Sequence, residues 1–504
     1  MKPKTKFYLI FVLILVLATS LRFYNITATS LWHDEAFSAL LIKYPWSEMF
    51  YRIGLDVHPA LYYIILRLWY YFFGDSLFSL RAFSAIFGIL TVWGVYLLTK
   101  EVFNRKKLAL LAACFVAVNP FQIIYSVEAR MYTLGTFILI FASYFLIKAL
   151  NSGKFKDWVW YAIFLAASFH IHYFLFFSVF AHFVYILYWI IKGYRFNIIS
   201  WFNDKKFLSF CGSWIFAGVL FLPWLSWFLR QVRQVQEQYW IPKMGWLSVP
   251  STFYKMITGG DINSEKYWYV AIFAFFLGLV IITYALKKSR TEAGWFMLLM
   301  LGVPFTLAIL MSLKTSLYLD RYFVFASLFY LILIAVAIFY IPNKKIAGVL
   351  IAFFLILSFV SFTYNWASLN VKEKPGMAGA AKYLNQKATK EDKILVGSSF
   401  IFFTFRYYNQ TNIEPKLFVP GELPHFSGSA LLASKDDPQK LENTFKDFNT
   451  EVKSKDTVWV LWTTGFGASK PKEIPLTWRE TEEISFQDVY GYRGQIIVSK
   501  YLIP

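Results

Sequence analysis

Residues 320–345 read DRYFVFASLFYLILIAVAIFYIPNKK. Between Tyr322 and Ile341 there is no charged side chain over 20 residues. At 1.5 Å per residue, a helix of that length covers about 30 Å, the hydrocarbon thickness of a bilayer. Asp320 and Arg321 stand at one end, Lys344 and Lys345 at the other. The segment reads as a membrane span with lysines on one side and an acid–arginine pair on the other.

Ten further runs share that character, near 7–26, 78–99, 108–125, 131–150, 158–172, 173–191, 208–229, 267–286, 295–312 and 346–366. With 322–341 they make eleven expected spans. The pair 158–172 and 173–191 has only His170–His172 as its turn, and its first member is short. Composition agrees. Of 504 residues, 58% are hydrophobic, 21% aromatic and 16% charged, and the mean hydropathy is +0.49. These values exclude a soluble globular enzyme, a disordered chain and a disulfide scaffold. Cys114 and Cys211 lie in apolar runs with no metal-ligand spacing.

The net charge is +20. Residues 370–504 hold 18 Lys+Arg and 16 Asp+Glu, leaving 32 and 14 for residues 1–369. The excess therefore lies among the apolar runs, which points to membrane topology and not to nucleic acid. Lys2, Lys4 and Lys6 precede the first run. Arg105–Lys107, Lys148 to Lys156, Lys192 to Lys206, Lys287 to Arg290 and Lys344–Lys345 follow the second, fourth, sixth, eighth and tenth runs in chain order. All fall on one side if the N-terminus is cytoplasmic. The first run, with Ala18-Thr19-Ser20 near its end, also matches a signal peptide. The rest of the chain stays membrane-embedded either way. Ala60–Phe73 is too short to span, and counting it would invert every later cluster, so an interfacial helix is expected there.

Residues 27–77, 230–266 and 370–504 then lie outside the cytoplasmic membrane. Lys372 to Gly376 marks a change of composition, and residues 370–504 suffice for one small α/β domain. Ala378–Gln386 and Leu441–Phe448 read as helices, and Lys393–Gly397 and Val458–Trp462 as buried strands. The expected domains are 1–369 and 370–504.

The same outer face receives the candidate chemistry. Trp32-His33-Asp34-Glu35 follows the first span, and a carboxylate there could deprotonate a hydroxyl. The bland reading is a helix N-terminus that favours acids. His58-Pro59 opens the interfacial helix, where the histidine could equally be exposed or capping. Glu128-Ala129-Arg130-Met131-Tyr132 lies between the third and fourth spans. Arg130 and Arg321 could hold a phosphate with paired N–H donors, or anchor at lipid headgroups. Lys243, in the loop after Trp240, is a further cation. His170 and His172, two residues apart, do not share a helix face and make a poor metal pair.

Taken together, Trp32-His33-Asp34-Glu35, His58-Pro59-Ala60-Leu61-Tyr62-Tyr63, Glu128 to Tyr132 and Asp320-Arg321-Tyr322 resemble motifs of the GT-C membrane glycosyltransferases. The branch they are most similar to is the protein O-mannosyltransferase and lipid A aminoarabinose transferase group. The resemblance covers about residues 1–370. It implies a mainly α polytopic bundle with a small extracytoplasmic α/β domain. It implies an inverting transfer from a polyprenyl-phosphate-linked sugar to a glycan, lipid or protein acceptor. Asp34 would be the general base, with Glu35 supporting it. Arg130, Arg321 and Lys243 would hold the donor phosphate. His58, Glu128 and Tyr132 would complete the site. No metal or other cofactor is required, although variation within the superfamily leaves room for a divalent cation near Asp34 and Glu128. The family's common Pro-Pro before Leu is Pro59-Ala60 here. A transporter or lipid flippase would instead show repeated halves and ionisable residues at span centres. A scaffold would leave Asp34 replaceable. An oligosaccharide ligase would use a diphosphate-linked donor.

Overall fold

The computed structural model describes residues 3–237, 240–261, 263–289, 291–367, 376–434, 440–465, 469–488 and 494–504. The expected domain boundary at 369/370, with its marker Lys372–Pro375, lies outside them. In chain order the helices are α1 (Pro3–Phe23), α2 (His33–Leu41), α3 (Trp46–Leu55), α4 (Leu61–Phe73), α5 (Leu77–Phe103), α6 (Lys106–Val118) and α7 (Pro120–Ser126). Then come α8 (Tyr132–Ser152), α9 (Phe155–Ile171), α10 (Phe174–Tyr194), α11 (Ile198–Asn203), α12 (Lys205–Phe221), α13 (Leu225–Glu237) and α14 (Ser248–Thr258). The last are α15 (Ser264–Lys288), α16 (Thr291–Ser312), α17 (Val324–Phe339), α18 (Lys344–Phe362), α19 (Gly376–Lys387) and α20 (Ser399–Tyr408). Packing divides the chain into two units. One holds residues 1–24, 58–62 and 81–367; the other holds 25–57, 63–80 and 368–504.

The first unit is a helix bundle centred on α17. Every residue from Val324 to Ile338 is buried, against α6, α8, α15 and α16. A helix that is apolar all round belongs in such a centre. The expected span begins later than its apolar run, because Asp320–Phe323 forms a 3-10 turn before α17. Nine helices among the described residues are long and apolar enough to cross a membrane, or ten if the bent pair α6–α7 is one span. The expected eleven are these ten and the segment 158–172, which is helical as α9 with 17 residues, roughly 26 Å at 1.5 Å each.

The bend has a clear cause. Pro120 opens α7 and has no N–H to give to Val116 four residues back. Arg22, fully buried at the end of α1, takes over. It donates to the carbonyls of Ala117 (2.9 Å) and Val116 (3.4 Å) and to Ser126 Oγ (3.1 Å). Asn119 caps α7 by accepting from the Gln122 N–H at 3.0 Å. Gln122 Nε2 donates to the Val324 carbonyl (2.9 Å) and Ser327 Oγ (2.8 Å). The two helices meet at an angle of 59°. α7 is thereby fixed against the start of α17.

The second unit is built on a six-stranded sheet: β1 (Lys393–Val396), β2 (Lys416–Phe418), β3 (Thr444–Phe445), β4 (Thr457–Thr463), β5 (Arg479–Gln487) and β6 (Gln495–Leu502), in the order β3-β2-β1-β4-β6-β5. The first four are parallel neighbours, and β6 pairs antiparallel with β4 and β5. The expected strands at 393–397 and 458–462 are β1 and β4, and the helix expected at 378–386 is α19. The helix expected at Leu441–Phe448 does not form. Leu441, Phe445 and Phe448 have helical spacing, but Asn443 takes a positive φ of 54°, and Phe445 pairs with Phe418 in the sheet. Phe418, Phe445 and Phe448 then pack with Trp478 and Tyr501 in one core. The early segments join this unit through hydrogen bonds from Tyr407 to the Asp75 carbonyl (2.6 Å) and from Arg52 to the Ala430 carbonyl (2.9 Å).

Candidate active site

The acidic part lies in the second unit, on the first turn of α2. Glu35 is fully buried. Its Oε2 accepts the Trp32 N–H at 3.3 Å, so this carboxylate caps the helix. His33 is buried against the rings of Phe400 (5.4 Å) and Phe403 (5.6 Å). Between them Asp34 is half-buried, and its carbonyl accepts from Ser38 Oγ at 3.1 Å. The Leu31 N–H donates to Tyr408 Oη at 3.0 Å, holding the approach to α2 on α20. Glu35 thus caps the turn, and Asp34 lies in the same first turn, where the helix dipole favours an acid.

The cationic part lies in the first unit. The turn between α7 and α8 carries Glu128 and Arg130, both buried. The Arg130 N–H closes the turn on the Glu128 carbonyl at 2.7 Å, and Ser84 Oγ on α5 donates to the Arg130 carbonyl at 3.4 Å. Arg130 Nη2 lies 3.4 Å from His58 Nε2. His58 precedes α4 by three residues and is half-buried; its carbonyl accepts from Gln231 Nε2 at 3.5 Å. Gln231 Oε1 in turn accepts from Tyr173.

His172, in the turn between α9 and α10, is the hub of the group. It is 5% exposed. Its ring centroid lies 5.9 Å from His58, 6.0 Å from Tyr132 and 4.9 Å from Tyr322. Burial, then the charges of His58, Arg130 and Arg321, hold its pKa well below the ordinary histidine value. Arg321 sits with its guanidinium 5.3 Å from the centre of the Trp240 ring. Lys243, three residues on, is exposed and is not drawn into this group among the described residues. His170 turns the other way, 5.4 Å from Phe221, so the two histidines diverge.

Asp320, beside Arg321, accepts from Lys255 Nζ at 2.8 Å, and the same ammonium donates to Asp261 at 2.6 Å. Burial opposes the Lys255 charge, but the two carboxylates outweigh it and raise its pKa. A cavity of about 440 Å³ opens along this network, lined by Trp246, Ser251, Thr252, Lys255 and Tyr318. Among the described residues, no three His, Cys, Asp or Glu side chains are grouped to hold a metal ion.

The structure thus brings together His58, Arg130, Tyr132 and Arg321 around His172. It places Glu128 in the same turn as Arg130, and Asp34 and Glu35 together in the other unit. Sequence reasoning missed His172 as a member, together with the supporting Arg22, Gln122 and Gln231. A lone arginine ending an apolar run was the available signal for Arg22.

Residues 57–227, about a third of the chain, match the family model described as dolichyl-phosphate-mannose-protein mannosyltransferase. A crystal structure of ArnT from Cupriavidus metallidurans bound to undecaprenyl phosphate is similar in fold, with a TM-score of 0.63 over 97% of each chain and 13% identity. The archaeal oligosaccharyltransferase AglB from Archaeoglobus fulgidus, in complex with an inhibitory peptide and a dolichol-phosphate, superposes with a TM-score of 0.53. That match covers 94% of this chain and 75% of AglB, at 13% identity. No curated protein matches in sequence. The chain has the GT-C fold of membrane glycosyltransferases, as its motifs led us to expect. In sequence, residues 57–227 are similar to the mannosyltransferase family model.

Proposed function

We propose that this protein is an inverting glycosyltransferase that takes a sugar from a polyprenyl-phosphate donor to an acceptor hydroxyl, on the extracytoplasmic side of the membrane. The observation that carries the reading is the group of Arg130 and Arg321 around His172 and His58, inside a chain of GT-C fold. Two guanidiniums in a largely buried setting suit a phosphate monoester that gains charge as it leaves. The sidedness rests on the lysine and arginine clusters.

In the proposed step the acceptor oxygen attacks the anomeric carbon of the sugar. The bond from that carbon to the phosphate oxygen breaks, with inversion. Asp34 takes the acceptor proton, and the electron pair leaves with the polyprenyl phosphate, whose charge Arg130 and Arg321 stabilise. Glu35 fixes the turn that carries Asp34. Because the guanidiniums meet the leaving charge, no divalent ion is required in this reading.

The test is turnover by purified protein in nanodiscs. A panel of radiolabelled polyprenyl-phosphate sugars is offered beside diphosphate-linked donors, with and without EDTA. Release or transfer of label from a monophosphate donor, lost in Asp34→Asn, supports the reading. Consumption of the diphosphate donors alone would replace it with an oligosaccharide ligase. Turnover of no donor, with Asp34→Asn complementing a deletion strain, would remove the enzyme reading.

A further inference from the structure

His172 is held in one tautomer. Its Nδ1 accepts the Phe174 backbone N–H at 3.1 Å, and a ring nitrogen that accepts carries no proton. In the neutral ring the proton therefore sits on Nε2. That nitrogen is buried and has no hydrogen-bond partner among the described residues. Buried N–H donors are rarely left unmade in native proteins. The local bond to Phe174 occupies one edge of the ring, so Nε2 faces away from its own backbone. The ring is enclosed by His58, Tyr132, Tyr322 and Phe325.

What would satisfy this donor follows from its company. The charges acting on the ring are those of His58, Arg130 and Arg321, and the two arginines are donors with no acceptor capacity. A ligand serving all three donors must offer several acceptor oxygens and negative charge. The phosphate of a polyprenyl-phosphate sugar does so with two free oxygens, and with a third once the bond to the sugar has broken. Water can accept from Nε2–H but brings no charge to the guanidiniums.

We propose that the Nε2–H of His172 donates a hydrogen bond to the phosphate of the donor lipid, as a neutral third ligand beside Arg130 and Arg321. The proposal rests on the phosphate reading of this site given above. A neutral donor with a fixed proton keeps its bond across the pH range in which an ordinary histidine titrates. It also binds the leaving phosphate without adding a third positive charge that would hold the product.

The experiment measures binding of undecaprenyl phosphate to the full-length protein in nanodiscs, with phosphatidic acid and inorganic phosphate as competitors. His172→Asn keeps an oxygen that can accept the Phe174 N–H but loses the Nε2 donor. His172→Gln places an amide N–H near the Nε2 position. We expect binding to weaken about 10- to 100-fold in His172→Asn, the loss of one hydrogen bond to a charged group. His172→Gln should stay within a few-fold of wild type, and both should keep the wild-type Tm. Should His172→Asn fail to fold, His172→Met against His172→Gln gives the same contrast. Equal binding by His172→Asn and wild type overturns the proposal and leaves the function standing. Equal competition by phosphatidic acid or inorganic phosphate overturns the assignment to the donor lipid. If wild type binds no polyprenyl phosphate, the phosphate reading of the site fails, and the role of His172 with it.

Discussion

Asp34 sits in a turn made by its neighbours in sequence. Glu35 caps the turn on Trp32, Ser38 bonds back to the Asp34 carbonyl, and His33 anchors it on α20. Arg130 and Arg321 come from remote segments and depend on remote partners: Ser84, His58 and Gln231 for one, Trp240 and the Asp320–Lys255 network for the other. An acid of this kind can be read from a motif. A cationic site of this kind exists only once the bundle has folded. The two should therefore fail differently when disturbed.

The largest effect should come from the acidic turn. Asp34→Asn keeps size and backbone and removes the base. Turnover at saturating donor should fall about 10²- to 10⁴-fold, the usual reach of general base catalysis, with Tm unchanged. Glu35→Ala should do the reverse in kind, removing the acceptor from the Trp32 N–H and costing about 1 kcal/mol of stability. Thermal unfolding measured beside kcat separates the two. If Asp34→Asn turns over normally, this turn is structural throughout.

Arg321→Ala probes the cationic end. Loss of one donor to a developing phosphate charge should cost about 10²- to 10³-fold in kcat/KM. Arg321→Lys should recover only part of it, because an ammonium lacks the planar fork. Equal kinetics for the lysine variant would show that charge alone matters there.

Much of the fold was legible because membrane helices advertise themselves. The uncharged run 322–341 is the central helix, and Ile394-Leu395-Val396 and Val458 to Trp462 lie in strands, as their apolar character suggested. The break inside 108–125 was written as Asn119-Pro120, a cap followed by a residue without an N–H. The false helix at Leu441–Phe448 shows the limit. Its i, i+4, i+7 spacing is genuine, but pairing to Phe418 overrides it. Within the site, Arg130 and Arg321 were legible as charges at span ends. His172 was not, because its significance comes from an Nδ1 bond to its own backbone and from arginines far away in the chain.

The scaffold that joins these remote parts is open to test through Arg22. Arg22→Leu removes the donors from the Val116 and Ala117 carbonyls and from Ser126. We expect about 3 kcal/mol of destabilisation, since buried acceptors are left unmade. Gly88→Ala attacks the same point from α5, where a Cβ would stand 2.3 Å from Ser126 Oγ and 2.9 Å from Arg22 Nε. About 1–3 kcal/mol follows from such crowding. Neither substitution touches the acidic turn, so a fall in Tm with donor KM raised would trace the cationic site to the α6–α7 bend.

The smallest effect belongs to the second unit and depends on pH. Asp456 precedes β4, and Lys393 opens the adjacent β1. The Lys393 ammonium bonds the Asp456 carboxylate at 2.9 Å, and the Lys453 N–H adds a bond at 2.8 Å. Led by Lys393, these contacts hold its pKa below the ordinary 3.8. A carboxyl lowered in the folded state stabilises the fold above its unfolded value and loses that contribution as pH falls through the folded one. Asp456→Asn should therefore cost roughly 1 kcal/mol or less near neutral pH. Its Tm should begin to converge on wild type as pH drops below about 4, and meet it below the lowered folded value, where both chains carry an uncharged side chain. A Tm difference that persists in acid would mean that the carboxylate acts through its hydrogen bonds and not through its charge. The strand pair β1–β4 would then hold together much as the Asp34 turn does, by local geometry.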